Sequence, residues 1–385
     1  MAALTTGRDQ TVLSFLNASF VFTSNGVDYA EHLLEHTYSD STEESEDIDV
    51  SMVICTALSH FSDYFTCCIH KDLYLWRTKD WKLVSKRLVN RSASAIIFSP
   101  NDEVIAVADK SGDVFLFSVK SPEKEGEFIL GHISMLLDLL ITPNNKYIIT
   151  CDRDEKIRVS CFPNAYNIQS YCLGHEEFVT CLNILPHNEN ILVSGSGDGT
   201  LRFWNYVCGK QLLCRNCNQN GSEFSSNNNP IISKLKSKKH SAEVSILVAM
   251  LVSFKDILVY NINSEAIEGE LTCILKQKIS LESEPWCISL SDDNLVILKQ
   301  NVEECLSAYV FCRNKNEFVL DNCVTPIVNS IKKHTGKLNI FNKERQISTL
   351  YKRRFDNVQE YLKRKLERIE TNTKKLKNKT TSEMT

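Results

Sequence analysis

Four groupings in this chain have residue types and spacings that could do chemistry. His175 and Asp198 could work as a base and its orienting acid. Gly195, Gly197 and Gly199 look on the surface like a loop that cradles phosphate. Cys214 and Cys217, in CRNC, have the C-x-x-C spacing used by metal sites and redox thiols. The stretch CDRDEKIRVS, residues 151–160, sets Asp152, Arg153, Asp154, Glu155, Lys156 and Arg158 into seven positions, six charges that could steer a partner into register.

The elements that must carry these residues repeat. GHISMLLDLLITPNNKYIITCDRDEKIRVS begins at Gly131, and GHEEFVTCLNILPHNENILVSGSGDGTLRFWNY begins 43 residues later at Gly174. In each, Gly-His leads into an apolar alternating strand. A Pro-Asn or Pro-His turn, a second strand, a tight polar turn and a third strand follow. The three glycines therefore sit between strands rather than ahead of a helix, so they read as a tight turn and not as a phosphate loop. No second cysteine pair follows CRNC at zinc spacing, and the 15 cysteines are otherwise scattered, so they read as reduced thiols.

This pattern resembles the WD repeat, whose four-stranded blades ring a central channel. Weaker copies occur at ASAIIFSPNDEVIAVADKSGDVFLFSV and CTALSHFSDYFTCCIHKDLYLWRT, and alternating strands continue through SILVAMLVSFKDILVYNI and PWCISLSDDNLVILKQ. With an opening strand near 11–23 and a closing one near 336–342, about seven blades fit. The expected fold is all-β: a seven-bladed propeller over residues 1–350, followed by a basic C-terminal helix and tail over 351–385. His175, Ser194, Asp198 and Trp204 match the family's hydrogen-bonded tetrad, which gives the His–Asp pair a structural duty in place of a catalytic one.

Aligning the repeats puts Thr150 on Ser194, Asp154 on Asp198 and Ser160 on Trp204, so His132, Thr150 and Asp154 are expected to form a tetrad lacking its tryptophan. Arg153 and Glu155 then replace Gly197 and Gly199, and Lys110 occupies the Gly197 position one blade earlier. Lys110, Arg153, Asp154, Glu155 and Arg158 thus fall on equivalent turns of one face, with Arg158 able to fold back toward Asp154 or Glu155. A solvated turn would carry local ion pairs of ~0–1 kcal/mol each. A docking face would use the same charges to fix register.

The remainder is compositional. The net charge of −4 excludes a general polyanion binder, so any nucleic-acid contact needs a local patch. After residue 350, Phe355, Val358, Leu362, Leu366 and Ile369 recur at helical spacing. Lys352, Arg353, Arg354, Lys363, Arg364, Lys365 and Arg368 lead a set of eleven basic residues up to Lys379, against four acidic ones. Such a helix suits RNA phosphates, a nuclear-import signal, or both. SDSTEESEDIDV reads as an acidic disordered insertion over 39–50, NCNQNGSEFSSNNN (216–229) as a polar insertion, and KLKSKKH as a solvated loop. No stretch approaches the ~20 apolar residues of a membrane span, and the N-terminus reads as strand rather than signal sequence.

ADKSGDVFLFSV, GHISMLLDL, CDRDEKIRVS and LYKRRFDNVQEYLKRKLERIE are similar to the non-catalytic WD-repeat subunit of the tRNA (guanine-N7)-methyltransferase, the Wuho-type family. That resemblance implies a chain with no catalytic residues, metal or cofactor of its own. Its partner in a heterodimer would be a Rossmann-type methyltransferase that binds S-adenosylmethionine and methylates a guanosine in the tRNA variable loop. It also implies that docking uses the turns at Lys110, Asp154, Glu155 and Arg158, that tRNA is met through the complex, and that the protein resides in the nucleus, with the cytoplasm as a second compartment. The alternative from another class is a general propeller adaptor, such as a ubiquitin-ligase substrate receptor or a translational-regulator scaffold.

Overall fold

The computed structural model describes residues 2–6, 10–15, 18–24, 29–35, 53–219, 230–264, 270–299, 305–321, 346–352, 358 and 361–369. The acidic insertion, the closing strand expected near 336–342, Arg353, Arg354 and the tail beyond 369 lie outside them, as do residues 220–229.

Among the described residues the chain forms seven four-stranded antiparallel sheets, each built from four consecutive strands in meander order. They span residues 2–35, 53–88, 93–131, 136–172, 179–216, 232–280 and 285–321. The gradient of apolar character across a sheet explains its layering. Second strands such as Ile191–Ser196 are buried along their whole length, third strands such as Thr200–Asn205 bury Leu201 and Phe203 on one face, and fourth strands such as Ile168–Cys172 are largely exposed. First strands sit beside one another, and Ala2–Thr6 lies beside Pro285–Ser291 to close the circle. At that closure the Thr6 amide donates to Ser289 Oγ at 3.1 Å, and the two hydroxyls are 2.7 Å apart. This arrangement is a β-propeller, and its closure removes the long unpaired edges that an open sheet would expose.

The core is divided into slabs between successive sheets. Cys181, Val193, Phe203, Leu235, Leu247 and Tyr260 fill one such slab, and Leu140, Ile149, Val159, Leu182, Leu192 and Trp204 another.

The first sheet takes its four strands from within residues 2–35, and the strand expected near 336–342 lies outside the described residues. Two expectations are corrected. KLKSKKH is not a loop: Ile232–Lys239 is the first strand of the sixth sheet, with Ile232 and Leu235 packed into the slab that holds Cys181, Val193 and Leu247. The polar insertion begins later than expected, since Asn216 ends a strand and Cys217–Gln219 forms a 3₁₀ turn with Cys217 fully buried.

Residues Met1–Arg345 and Gln346–Thr385 are separate compact units. In the second, residues 361–369 are helical and exposed, with Leu362, Leu366 and Ile369 on one face and Lys363, Arg364, Lys365 and Arg368 among them. Lys352 is exposed ahead of the helix.

Candidate docking site on the propeller face

The fifth sheet shows how this face is held. Trp204 Nε1–H donates to Ser194 Oγ at 2.8 Å, Ser194 Oγ lies 2.7 Å from His175 Nε2, and His175 Nδ1 lies 2.8 Å from Asp198 Oδ2. A carboxylate can only accept, so Nδ1 carries the proton and Nε2 accepts from the serine hydroxyl. The chain runs in one direction from indole to carboxylate. Burial lowers the His175 pKa and keeps the ring neutral. Burial alone would raise the Asp198 pKa, but the bonds from His175, Thr200 and the Glu176 amide hold it well below the carboxylate range. All four side chains are buried and engaged, so the link ties the Gly174–His175 loop to the turn.

In the fourth sheet the link shifts. His132 Nδ1 meets Asp152 Oδ2 at 3.0 Å, and His132 Nε2 meets Thr150 Oγ1 at 2.8 Å. The carboxylate is therefore Asp152, not Asp154 as the repeat alignment suggests. The turns also differ in length. Strands end at Asp109, Asp152 and Ser196, and the next begin at Asp113, Ile157 and Thr200, so the fourth sheet's turn holds one more residue than its neighbours. Asp152 Oδ1 accepts from the Asp154 and Lys156 amides, as Asp109 Oδ1 does from Ser111, Gly112 and Asp113. The visible sign is the Thr150–Asp152 spacing of two, against four between Ser194 and Asp198.

The other equivalences hold in the backbone. Lys110, Arg153 and Gly197 each donate their amide to the loop that enters the sheet, at Ser92, Met135 and Phe178, with distances of 3.0, 3.0 and 2.9 Å. A Cβ on Gly197 would come within 2.6 Å of the Phe178 ring, so glycine there answers to one bulky neighbour. Where Ser92 or Met135 stands instead, a lysine or arginine fits. Glu155 adopts φ 66°, matching Gly112 at 103° and Gly199 at 80°. A glutamate in that left-handed region carries a strain of about 1 kcal/mol that glycine avoids.

Lys110 is exposed, and Arg153, Asp154, Glu155 and Arg158 are half-buried. Arg158 does not turn to the carboxylates. Its Nε donates to Ser160 Oγ at 2.9 Å, Nη1 to the Gly131 carbonyl at 3.2 Å and Nη2 to the Ala165 carbonyl at 3.0 Å, and burial lowers its pKa. Ser160 is too small to replace Trp204, and Arg158 takes over as the strut from the third strand to the entering loop. Ser160 and Ala165 were thus missed by sequence reasoning.

Among the described residues no group of three His, Cys, Asp or Glu is placed to hold a metal ion. Burial pushes the Cys181 thiol up to about 12 and the Cys217 thiol up to about 11, so neither is a ready nucleophile. No described helix is long and apolar enough to cross a membrane.

Known proteins share this pattern. The family described as "tRNA methyltransferase TRM82 WD40 domain" matches residues 118–315. The tRNA (guanine-N(7)-)-methyltransferase non-catalytic subunit WDR4 of Homo sapiens is 33% identical over 321 residues, covering 81% of this chain and 76% of that protein. The chain belongs to this family of non-catalytic WD-repeat subunits. The relative from Xenopus laevis is 37% identical, covering 84% of this chain and 82% of its own length, and the wuho subunit of Culex quinquefasciatus is 34% identical, covering 80% and 73%. A chain of a solved structure titled "Crystal Structure of Mitotic Checkpoint Complex" superposes with a TM-score of 0.62 at 13% identity, over 76% of this chain and 84% of that one, which shows the all-β propeller fold alone.

Two predictions follow from the turn and the link. Gly197→Ala destabilises by about 1–3 kcal/mol through overpacking, and in a Phe178→Met background the same change costs less by at least about 1 kcal/mol; additive effects in denaturant unfolding would contradict this account of the glycine. For the link, a depressed histidine pKa means that the unfolded chain takes up a proton first as pH falls below about 6.5. Stability contributed by neutral His175 is therefore lost on acidification below that value, and the Asp198 contribution is lost only below about 3.9. The melting temperature between pH 6.5 and 4.5 should fall more steeply in the native chain than in His175→Gln, and equal slopes would refute it.

Proposed function

We propose that this chain is the scaffold subunit that holds and orders a catalytic tRNA (guanine-N7)-methyltransferase, forming a heterodimer for 7-methylguanosine synthesis in the tRNA variable loop. In this reading the seven sheets act as seven blades of one ring. The catalytic subunit binds S-adenosylmethionine, while this chain fixes the geometry in which methyl donor and tRNA meet. The observation that carries docking to the charged turns is Glu155, a carboxylate kept in a left-handed backbone where the equivalent turns of the neighbouring third and fifth sheets use glycine. Local stability would favour glycine there, and a partner's basic side chain gives the carboxylate a use. Family membership supports the identity of that partner.

The histidine links run to Asp152 and Asp198, so Lys110, Asp154 and Glu155 suit a docking role. The basic residues Lys352, Lys363, Arg364, Lys365 and Arg368, with Arg353 and Arg354 in the same run, are suited to neutralise tRNA phosphates beside the enzyme. The same basic run supports residence in the nucleus, with the cytoplasm as a second compartment.

Two experiments test this. Lys110→Glu and Glu155→Lys should each weaken binding to the recombinant catalytic subunit by ~2–5 kcal/mol, about 30-fold or more, with unchanged melting temperature; Glu155→Gly should lose binding while suiting the backbone better. Intact binding by both reversals would return the turns to a solvent role. Deleting residues 352–379 should weaken tRNA binding by the complex and flatten its salt dependence, and an unchanged slope would leave the segment as a targeting element only.

A further inference from the structure

Ile133 is fully exposed, at 105% of its reference area, and Leu173 is 62% exposed. Scattered exposed apolar residues ordinarily carry no meaning. These two differ in placement and in rigidity. Ile133 follows His132 in the loop that enters the fourth sheet. Its equivalents by the same backbone alignment are Asn90 and Glu176, both polar, so nothing in the repeat asks for an isoleucine. Leu173 follows Cys172, which pairs with Ile157 directly after the charged turn, so the two apolar residues bracket residues 153–156.

The loop is held from four directions. His132 is fixed by Asp152 and Thr150, the His132 amide donates to the Gly112 carbonyl at 2.8 Å, the Gly131 carbonyl accepts from Arg158, and the Met135 carbonyl accepts from the Arg153 amide. The Gly112 contact places Ile133 beside the turn that carries Lys110, and the Met135 contact places it beside Arg153, Asp154 and Glu155. A rigid apolar side chain ringed by charges of both signs is the arrangement of an interface anchor, whose rim excludes water while the centre supplies the affinity. Because the loop is already ordered, little entropy remains to be lost on docking.

We infer that Ile133, with Leu173 on the other side of the charged turn, is the apolar anchor of the docking face, and that it fits an apolar pocket on the methyltransferase subunit rimmed by acidic and basic side chains opposite Lys110 and Glu155. This rests on the docking reading above. The division of labour is specific: the charges govern encounter and its salt dependence, and Ile133 governs residence time.

The test is binding kinetics of the full chain with the recombinant catalytic subunit at two salt concentrations, for the native chain, Ile133→Ser, Ile133→Leu, Leu173→Ser and Lys110→Glu. Ile133→Ser should dissociate at least tenfold faster, with an association rate and salt dependence within threefold of native and no change in melting temperature. Ile133→Leu should stay within threefold of native throughout, and Leu173→Ser should fall between. If Ile133→Ser dissociates at the native rate while Lys110→Glu weakens binding, the anchor is refuted and the docking reading stands. If neither variant changes binding, both fall.

Discussion

The candidate site depends on a buried bond between an imidazole and a carboxylate that, in the fourth and fifth sheets, joins the entering loop to the turn across from it. His175–Asp198 and His132–Asp152 are both closed in from solvent and short, at 2.8 and 3.0 Å. A charge-assisted bond of this kind is stronger than a neutral one, and removing one partner would leave the other buried without compensation. That penalty forces loop and turn to move together. The face of the fourth and fifth sheets is thus held as a platform although the residues it presents belong to turns and loops.

A platform held this way lets turn residues change without disturbing the sheets below. In the fifth sheet the turn serves packing, with Gly197 against Phe178. In the fourth sheet the carboxylate of the link has moved to Asp152, an extra residue has entered the turn, and Arg158 replaces the absent tryptophan as a strut. The consequence is a set of half-buried charges on a turn tied to its entering loop. In the proposed docking role, function lies in a graft on a common fold rather than in the fold itself, and a preordered face loses little freedom when a partner arrives.

Much of this is legible in the sequence, and the rest is hidden for identifiable reasons. Gly174 to Tyr206 announces its sheet because glycines, strand alternation and Trp204 all sit at the family spacing. The equivalence of Lys110, Arg153 and Gly197 could also be read, since strand ends align before the turns diverge in length. The exchange of Asp154 for Asp152 is hidden from an alignment that matches Asp154 to Asp198, because both aspartates lie in the same charged run and only the Thr150–Asp152 spacing of two separates them. Arg158 was misjudged because proximity along the chain favours Asp154 and Glu155, whereas the space left by Ser160 draws the guanidinium toward two carbonyls. KLKSKKH looks like a loop by its charge, yet Ile232 and Leu235 fix it as an inner strand. Ile133 gives almost no signal, since a single isoleucine in a repeat reads as core until its exposure is known.

The central claim is that this chain contributes geometry, not chemistry, to methyl transfer. The direct measurement is single-turnover methylation of tRNA by the recombinant catalytic subunit, alone and with this chain, at saturating S-adenosylmethionine. The account predicts low activity for the catalytic subunit alone, a large gain when this chain is added, and the loss of that gain with Glu155→Lys. An equal rate with and without the chain would contradict it.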